Sequence, residues 1–405
     1  MSEYTLPDGW RIIRLGEIGE IASGITLGQK LRNAETYRVP YLRVANVKDG
    51  SLDLSDVYEI EATSSEIEKL KLQYGDLLLT EGGDPDKLGR GTFWEEQLPI
   101  CIHQNHIFRV RFDLGQVWPQ FVSAQIASPY GKAYFFRYAK QTTGIATINQ
   151  QVLRNFPLML PPFSEQRRIA TILTEQMDAI EQARAAAEAE LAAAEALTAA
   201  YLREVFESEE VQQWEPVSLG EALVRTTEVV HPHDNPAGPA VFVGLEHIES
   251  GTGIRLGKVS VEMSELNGQK PTFYQGQIVY GYLRPYLNKV WIAEFDGLCS
   301  VDQYVYSVVP SLADTEFIAW FMRSPVYIER SPLGSNTSQL PRIRADEVAS
   351  VEVNLPPVDE QKRIVILISE YLTETYALCA SLKEELEAIS QLPAALLCRA
   401  FNGEL

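Results

Sequence analysis

Catalysis needs ionisable or nucleophilic side chains at workable spacings, and this chain of 405 residues offers few candidates. Glu81, Asp84, Asp86 and Lys87 have the composition of a metal-dependent nuclease cluster, but they sit in the glycine-rich stretch EGGDPDKLG, and the matching place in the second half, residues 281–285, holds no acid. A solvated loop accounts for them. His231 and His233, and His103 and His106, form two possible metal pairs, yet neither has a third ligand at a zinc-type spacing, so turn or packed histidines explain both. Asn354-Leu355-Pro356-Pro357-Val358 has neither the spacing nor the aromatic residue with which an adenine methyltransferase holds a flipped base. A G-x-x-x-x-G-K-[ST] phosphate loop is also missing, so no ATP-driven motor is encoded. Cys101, Cys299, Cys379 and Cys398 are too widely spaced for a C-x-x-C motif and read as reduced, mostly buried thiols.

The polar residues that remain cluster in loops at matching places of the two halves. In the second half these are Arg284, Tyr286, Asn288 and Lys289 in YLRPYLNKV, then Asn336, Thr337, Ser338, Gln339, Arg342 and Arg344 in SNTSQLPRIR. In the first half Lys87 and Arg90 hold the corresponding loop, and Lys140, Gln141, Thr142, Thr143 and Thr147 the later one. Arginine and lysine grip phosphate or read guanine edges, and asparagine and glutamine suit adenine. Single members of such clusters are ordinary turn residues. Their recurrence in both halves points to DNA.

These loops are positioned by a duplicated frame. LPPFSEQRRI at residues 160–169 recurs 195 residues later as LPPVDEQKRI at 355–364, with seven of ten positions identical. Other landmarks follow in the same order: WRIIRLGEI and WEPVSLGEA, YLRVANV and VFVGLEHI as strands, glycine turns at Gly50 and Gly251, GDLLLTEGG and GQIVYGYLRPYL, HQNHIFRVR and DQYVYSVV, then SPYGKAYFF and SPVYIERSP. An internal repeat of this kind is read before any local pattern. Short strands and helices without regular βαβ alternation predict an α+β fold with no Rossmann-type cofactor site. The boundaries expected are recognition domains at 1–160 and 214–354, and helical segments at 161–213 and 355–405.

After each repeat the apolar period becomes helical. Leu173, Met177, Ile180, Arg184, Ala187, Leu191, Ala194, Thr198, Tyr201 and Val205 recur at steps of four and three, a seam that needs a partner helix. The second copy offers Ile364, Ile368, Tyr371, Leu378, Leu382, Ile389 and Leu396. Alanine fills 11 of the 18 positions in 183–200, which permits close approach. Ser164 and Asp359 are candidate helix caps, and Pro393 should kink or interrupt the second helix. From residue 163 to 207 the first helix would span roughly 65 Å, the scale of a spacer.

The net charge of −20 argues at face value against DNA, but its distribution does not. Residues 1–160 carry a net −2, 161–213 a net −7, 214–354 a net −7 and 355–405 a net −4. A nearly balanced first segment leaves room for a basic face. No apolar run appears long enough to cross a bilayer, and MSEYTLPDGW lacks the regions of a signal peptide, so a cytoplasmic location is the expectation.

The chain resembles the specificity subunits of Type I restriction-modification systems. The resemblance covers nearly its whole length and rests on LPPFSEQRRI and LPPVDEQKRI, GDLLLTEGG, HQNHIFRVR, YLRPYLNKV, DGLCSVD, GSNTSQLPRI and RAFNGEL, in that duplicated order with helices attached. It implies two target-recognition domains, each reading half of an asymmetric bipartite double-stranded DNA target, separated by two long antiparallel coiled-coil helices. It further implies two copies of a modification subunit carrying the adenine methyltransferase site, and a restriction subunit acting as motor and nuclease. S-adenosylmethionine, ATP and Mg2+ would then belong to those partners, and this chain would be non-catalytic, with no cofactor of its own. GIATIN in the first half departs from the second half's SQLPRI pattern. Two other classes fit less of the sequence: a helical scaffold or DNA-mimicking inhibitor, suggested by the acidity, and a fused restriction enzyme with cryptic chemistry.

Overall fold

A proline pair cannot extend a β-ladder, and its fixed φ suits the entry to a helix, so Pro161-Pro162 and Pro356-Pro357 each convert a strand into a helix. In the computed structural model, which describes residues 6–26, 35–83, 88–142, 145–234, 236–332 and 341–405, strand Pro157–Leu160 leads to helix Phe163–Glu207, and strand Glu352–Asn354 leads to helix Val358–Phe401. The helices are 45 and 44 residues long. Both begin one residue before the expected caps: the amides of Glu165 and Gln166 donate to the Pro162 carbonyl, and those of Glu360 and Gln361 to Pro357. Ser164 and Asp359 therefore lie inside the first turn.

The chain folds as two compact units, residues 1–187 with 385–405, and residues 188–384. In the first, strands Gly19–Ser23, Ile107–Phe112, Leu77–Thr80 and Gly91–Phe93 make an antiparallel sheet in that spatial order. In the second, Leu223–Thr226, Gln303–Val308, Ile278–Gly281 and Val290–Ile292 repeat it. Each unit also has one parallel pair in a further sheet, Thr36–Leu42 with Ile102–His103 and Pro239–Val243 with Gly297–Cys299. Thr36–Leu42 and Pro239–Val243 end earlier than YLRVANV and VFVGLEHI suggest, because the chain then turns into a 3-10 segment, Val44–Asn46 or Leu245–His247.

Smaller features recur with the same chemistry. Gly50 and Gly251 both adopt φ +78°, a left-handed conformation cheap only for glycine. Ser128 and Ser324 each precede a proline, cap the helix that follows, and return a 2.6 Å hydrogen bond to the carbonyl three residues back. The Ser-Pro pairs thus set the same corner between two helices in each unit.

Each unit packs its sheet and short helices against parts of both long helices. In the first unit Ile169, Ala170 and Leu173 share a core with Leu396, Leu397, Ala400 and Phe401, and the Phe401 ring meets Phe121 edge-on at 5.5 Å. Pro393 does not interrupt the second helix. Burial of the turn beyond it offsets the roughly 3 kcal/mol that an interior proline costs. In the second unit Leu202 and Phe206 pack with Ile364, Ile368 and Leu372, and Tyr201 stacks on Tyr371 at 3.9 Å. Ala194 meets Cys379 and Leu382, so the helices run antiparallel there. The seam passes through Thr375 and Cys379 rather than Leu378, which is exposed. Thr375 can be buried because its hydroxyl donates to the Tyr371 carbonyl one turn back.

The second long helix does contain a stretch apolar enough, by length and composition, to cross a membrane, contrary to the sequence reading. Buried residues of that helix, among them Ile364, Ile368, Leu372, Cys379 and Leu396, belong to the packing clusters described above.

Candidate nucleic-acid interface

Strand ends bring the two polar loops of each half together. In the first unit Gly82–Gly83, at the end of GDLLLTEGG, pairs with Ile145–Thr147, which pairs in turn with Lys140–Thr142. Thr147 lies opposite both Gly82 and Lys140. Lys140 is exposed, and Thr147 and Arg90 are partly exposed. In the second unit the same junction is a bridge between Leu283 and Arg342, flanked by the Arg284 amide donating to Pro341 at 2.8 Å and the Ile343 amide donating to Tyr282 at 3.2 Å. Residues 65 and 59 apart in sequence thus become neighbours at equivalent places in the two units.

The chemistry at these junctions differs. In the first unit the Glu81 carboxylate meets His106 Nδ1 at 2.5 Å. The second unit instead presents Tyr282 stacked on Tyr304 at 4.3 Å, with the Arg225 guanidinium 4.4 Å from the Tyr304 ring centroid, an energetically favourable cation–π geometry. Arg342 lies 3.8 Å from Asp302, and Arg344 is held by Asp346 and Glu347. Arg284 and Tyr286 are exposed on a turn that opens and closes with left-handed residues, Arg284 at φ +53° and Asn288 at φ +47°. A left-handed arginine is strained, and such strain clusters where a side chain must be aimed.

Two of the expected contacts face inward. Asn288 is buried, and its amide donates to the Arg323 carbonyl at 2.6 Å. The Lys289 ammonium donates to the carbonyls of Leu245 and Ile248 at 2.6 and 2.8 Å, closing the 3-10 turn. Both anchor the loop from behind. Lys87, Thr143, Asn336, Thr337, Ser338 and Gln339 lie outside the described residues, as do Asp84 and Asp86. Gln141 and Thr142 are in the strand Lys140–Thr142.

Arg225, Tyr282 and Tyr304 were not singled out by sequence reasoning, and Glu81 and His106 were considered only for separate metal sites, not as partners. Arg225 and Tyr304 meet only because strand Leu223–Thr226 lies antiparallel to Gln303–Val308, a pairing across about 80 residues of chain. Conversely, the arginines of HQNHIFRVR serve the fold: Arg109 donates to the Lys69 carbonyl and to Glu20, and Arg111 makes a two-bond contact with the buried Asp76. His103 is enclosed, its Nδ1 on the Ile107 carbonyl at 3.0 Å. Burial, then the nearby Arg109 charge, pushes its pKa down to about 4. The two histidines of the proposed metal pair therefore differ, one buried and one exposed, and among the described residues no group of three His, Cys, Asp or Glu side chains could hold a metal. Cys101, Cys299 and Cys379 are buried, and Cys398 is exposed. Burial pushes the Cys101 and Cys299 thiols up to about 12, far from the reactive thiolate range.

The Type I restriction modification DNA specificity domain model matches residues 122–190 and 235–388, more than half of the chain. The chain belongs to that family. Within the family it is 29% identical over 192 residues to the Type I restriction enzyme EcoDI specificity subunit of Escherichia coli, covering 47% of this chain and 42% of that protein. To the StySPI specificity subunit of Salmonella potsdam it is 25% identical over 208 residues, 51% of this chain and 44% of the relative. The chain thus matches under half the length of these curated relatives. Two solved structures share the fold across nearly all of both chains. One is the HsdS subunit from Thermoanaerobacter tengcongensis, with TM-score 0.64, 18% identity and coverage of 100% of this chain and 99% of that one. The other comes from work on complex assembly and conformational transition of the type I R-M system, with TM-score 0.79, 19% identity and coverage of 99% and 100%.

Proposed function

We propose that this chain is the sequence-reading subunit of a Type I restriction-modification complex, non-catalytic itself, with each unit reading one half of an asymmetric bipartite duplex target. The observation that carries this reading is the repeated junction, Gly82 beside Thr147 and Leu283 beside Arg342, occupied by unlike side chains. Equivalent positions with different chemistry suit two different half-sites. Arg284, Tyr286, Arg342 and Arg344 in one unit, and Arg90, Lys140 and Thr147 in the other, remain the proposed contacts, together with the loop residues Lys87, Gln141, Thr142, Thr143, Asn336, Thr337, Ser338 and Gln339. Asn288 and Lys289 act by holding the loop.

The long helices would fix the spacer between half-sites and dock two copies of the modification subunit, with a restriction subunit joining them in the cytoplasm. S-adenosylmethionine, ATP and Mg2+ would be bound by those partners. The test is genome-wide mapping of methyladenine in cells carrying this chain with its modification subunit. A split, asymmetric motif of fixed spacing is the expected result; a contiguous or symmetric motif would overturn it. The net charge of −20 favours a second reading, a DNA-mimicking scaffold, which predicts equal binding of random and genomic duplexes at a stated salt concentration.

A further inference from the structure

The second unit contains a cavity of about 640 Å3 between its two long-helix segments and its globular part. That volume suits a small organic molecule. Leu202 and Cys379 contribute apolar wall from the helices, and Ile254 and Ile328 from the other side. Arg323, the last residue of helix Thr315–Arg323 and only 8% exposed, lines the cavity as well. Its Nε donates to the Val290 carbonyl at 3.0 Å, and its guanidinium carbon sits 4.6 Å from the Trp320 ring centroid. The two terminal nitrogens donate to no acceptor among the described residues.

The terminal edge of this guanidinium has no protein acceptor among the described residues and can take a carboxylate in a two-bond, charge-assisted contact. Burial lowers its pKa to about 10, which leaves it charged at neutral pH. The backbone makes room for it: Gly253 has φ +72°, and a Cβ there would lie 2.3 Å from Nη2. Two further polar atoms of the lining are buried without a partner, the Tyr376 hydroxyl and Asn288 Oδ1. Glu195, paired with Lys383 at 3.0 Å, and Glu249, accepting the Thr252 hydroxyl at 2.6 Å, also line the cavity. Their charges disfavour a polyphosphate. One negative charge on an apolar body fits.

We propose that this pocket binds a small carboxylate with an apolar body, its carboxylate on the free edge of Arg323 and the Tyr376 hydroxyl. The ligand sits directly behind the turn that presents Arg284 and Tyr286, since Asn288 of that turn holds the Arg323 carbonyl.

The test is ligand-observed saturation-transfer NMR and calorimetric titration on the full chain with benzoate, octanoate and 4-phenylbutyrate, each against its neutral amide. At least one acid is expected to bind, with its amide weaker by about tenfold, as the loss of a charge-assisted hydrogen-bond pair predicts. Tyr376→Phe should weaken the acid about threefold or more without altering thermal unfolding, and Arg323→Gln should erase the preference for acid over amide. Binding of none of the three acids at millimolar concentration overturns the proposal. So does equal binding of acid and amide, or unchanged acid binding in a folded Tyr376→Phe protein.

Discussion

Replacing Gln361 with leucine should release one joint of the second unit and leave the first unit intact. Gln361 is wholly buried in the first turn of its helix. Its Nε2 donates to the carbonyls of Leu312 at 3.0 Å and Pro356 at 2.8 Å, while its Oε1 accepts the Asp314 amide at 2.8 Å. Gln166 does the same in the first unit: Nε2 donates to Gln116 at 3.2 Å and Pro161 at 3.0 Å, and Oε1 accepts the Trp118 amide at 2.9 Å. Each glutamine therefore ties the segment entering a short helix to the Pro-Pro pair that opens a long one. Leucine keeps the volume and removes all three bonds. At about 1 kcal/mol net per bond the loss is about 3 kcal/mol, and groups left buried and unpaired can add to it. Hydrogen exchange read segment by segment measures this locally, which matters because a chain with two units has no single unfolding free energy. Exchange at the Asp314 amide should accelerate roughly a hundredfold in Gln361→Leu, since 1.4 kcal/mol is a factor of ten. The Trp118 amide should not change, and Gln166→Leu should reverse the pattern. Acceleration below about tenfold, or equal loosening of both segments by either substitution, refutes the assignment of the glutamines as separate clamps.

Two further outcomes follow from the sites described. The folded-state pKa of His103, about 4, lies below the ordinary 6.5, so its contribution is fully present above pH 6.5 and is lost as pH falls through 4. At most about 3 kcal/mol of first-unit stability should disappear across that window; in denaturant melts followed by exchange in residues 102–110, His103→Gln should flatten the dependence, and an unchanged slope would count against it. Arg284→Ala should weaken binding of the second half-site by about 1–3 kcal/mol and leave the first unaffected, as measured with duplexes mutated in one half at a time; equal loss at both halves would contradict separate readers.

Much of the architecture was legible because it is written twice. The Phe163–Glu207 helix follows from the apolar step after LPPFSEQ, and the left-handed turns at Gly50 and Gly251 from glycines at matching places. The misplacing of Asn288 and of the helix seam has one physical origin. Periodicity assigns polar residues outward, yet Thr375, Asn288 and Gln361 are buried because a backbone carbonyl stands ready to accept from each. Leu378 shows the converse, an apolar residue displaced from the seam when Thr375 and Cys379 take it. Which carbonyl a side chain meets depends on strands and loops distant in sequence. The pair Arg225 and Tyr304 was hidden for the same reason: only strand register joins them.

The first unit's core contains Leu396, Leu397, Ala400 and Phe401, while the whole of the second unit is encoded between residues 188 and 384. Topologically the second unit is an insertion into the first. On a ribosome adding about 5–20 residues per second, the second unit's chain is complete while Phe121 still lacks the ring it packs against, and the wait from residue 187 to residue 401 lasts on the order of ten seconds or more. The unit that starts first finishes last, and its exposed face at that stage is the one a chaperone would meet.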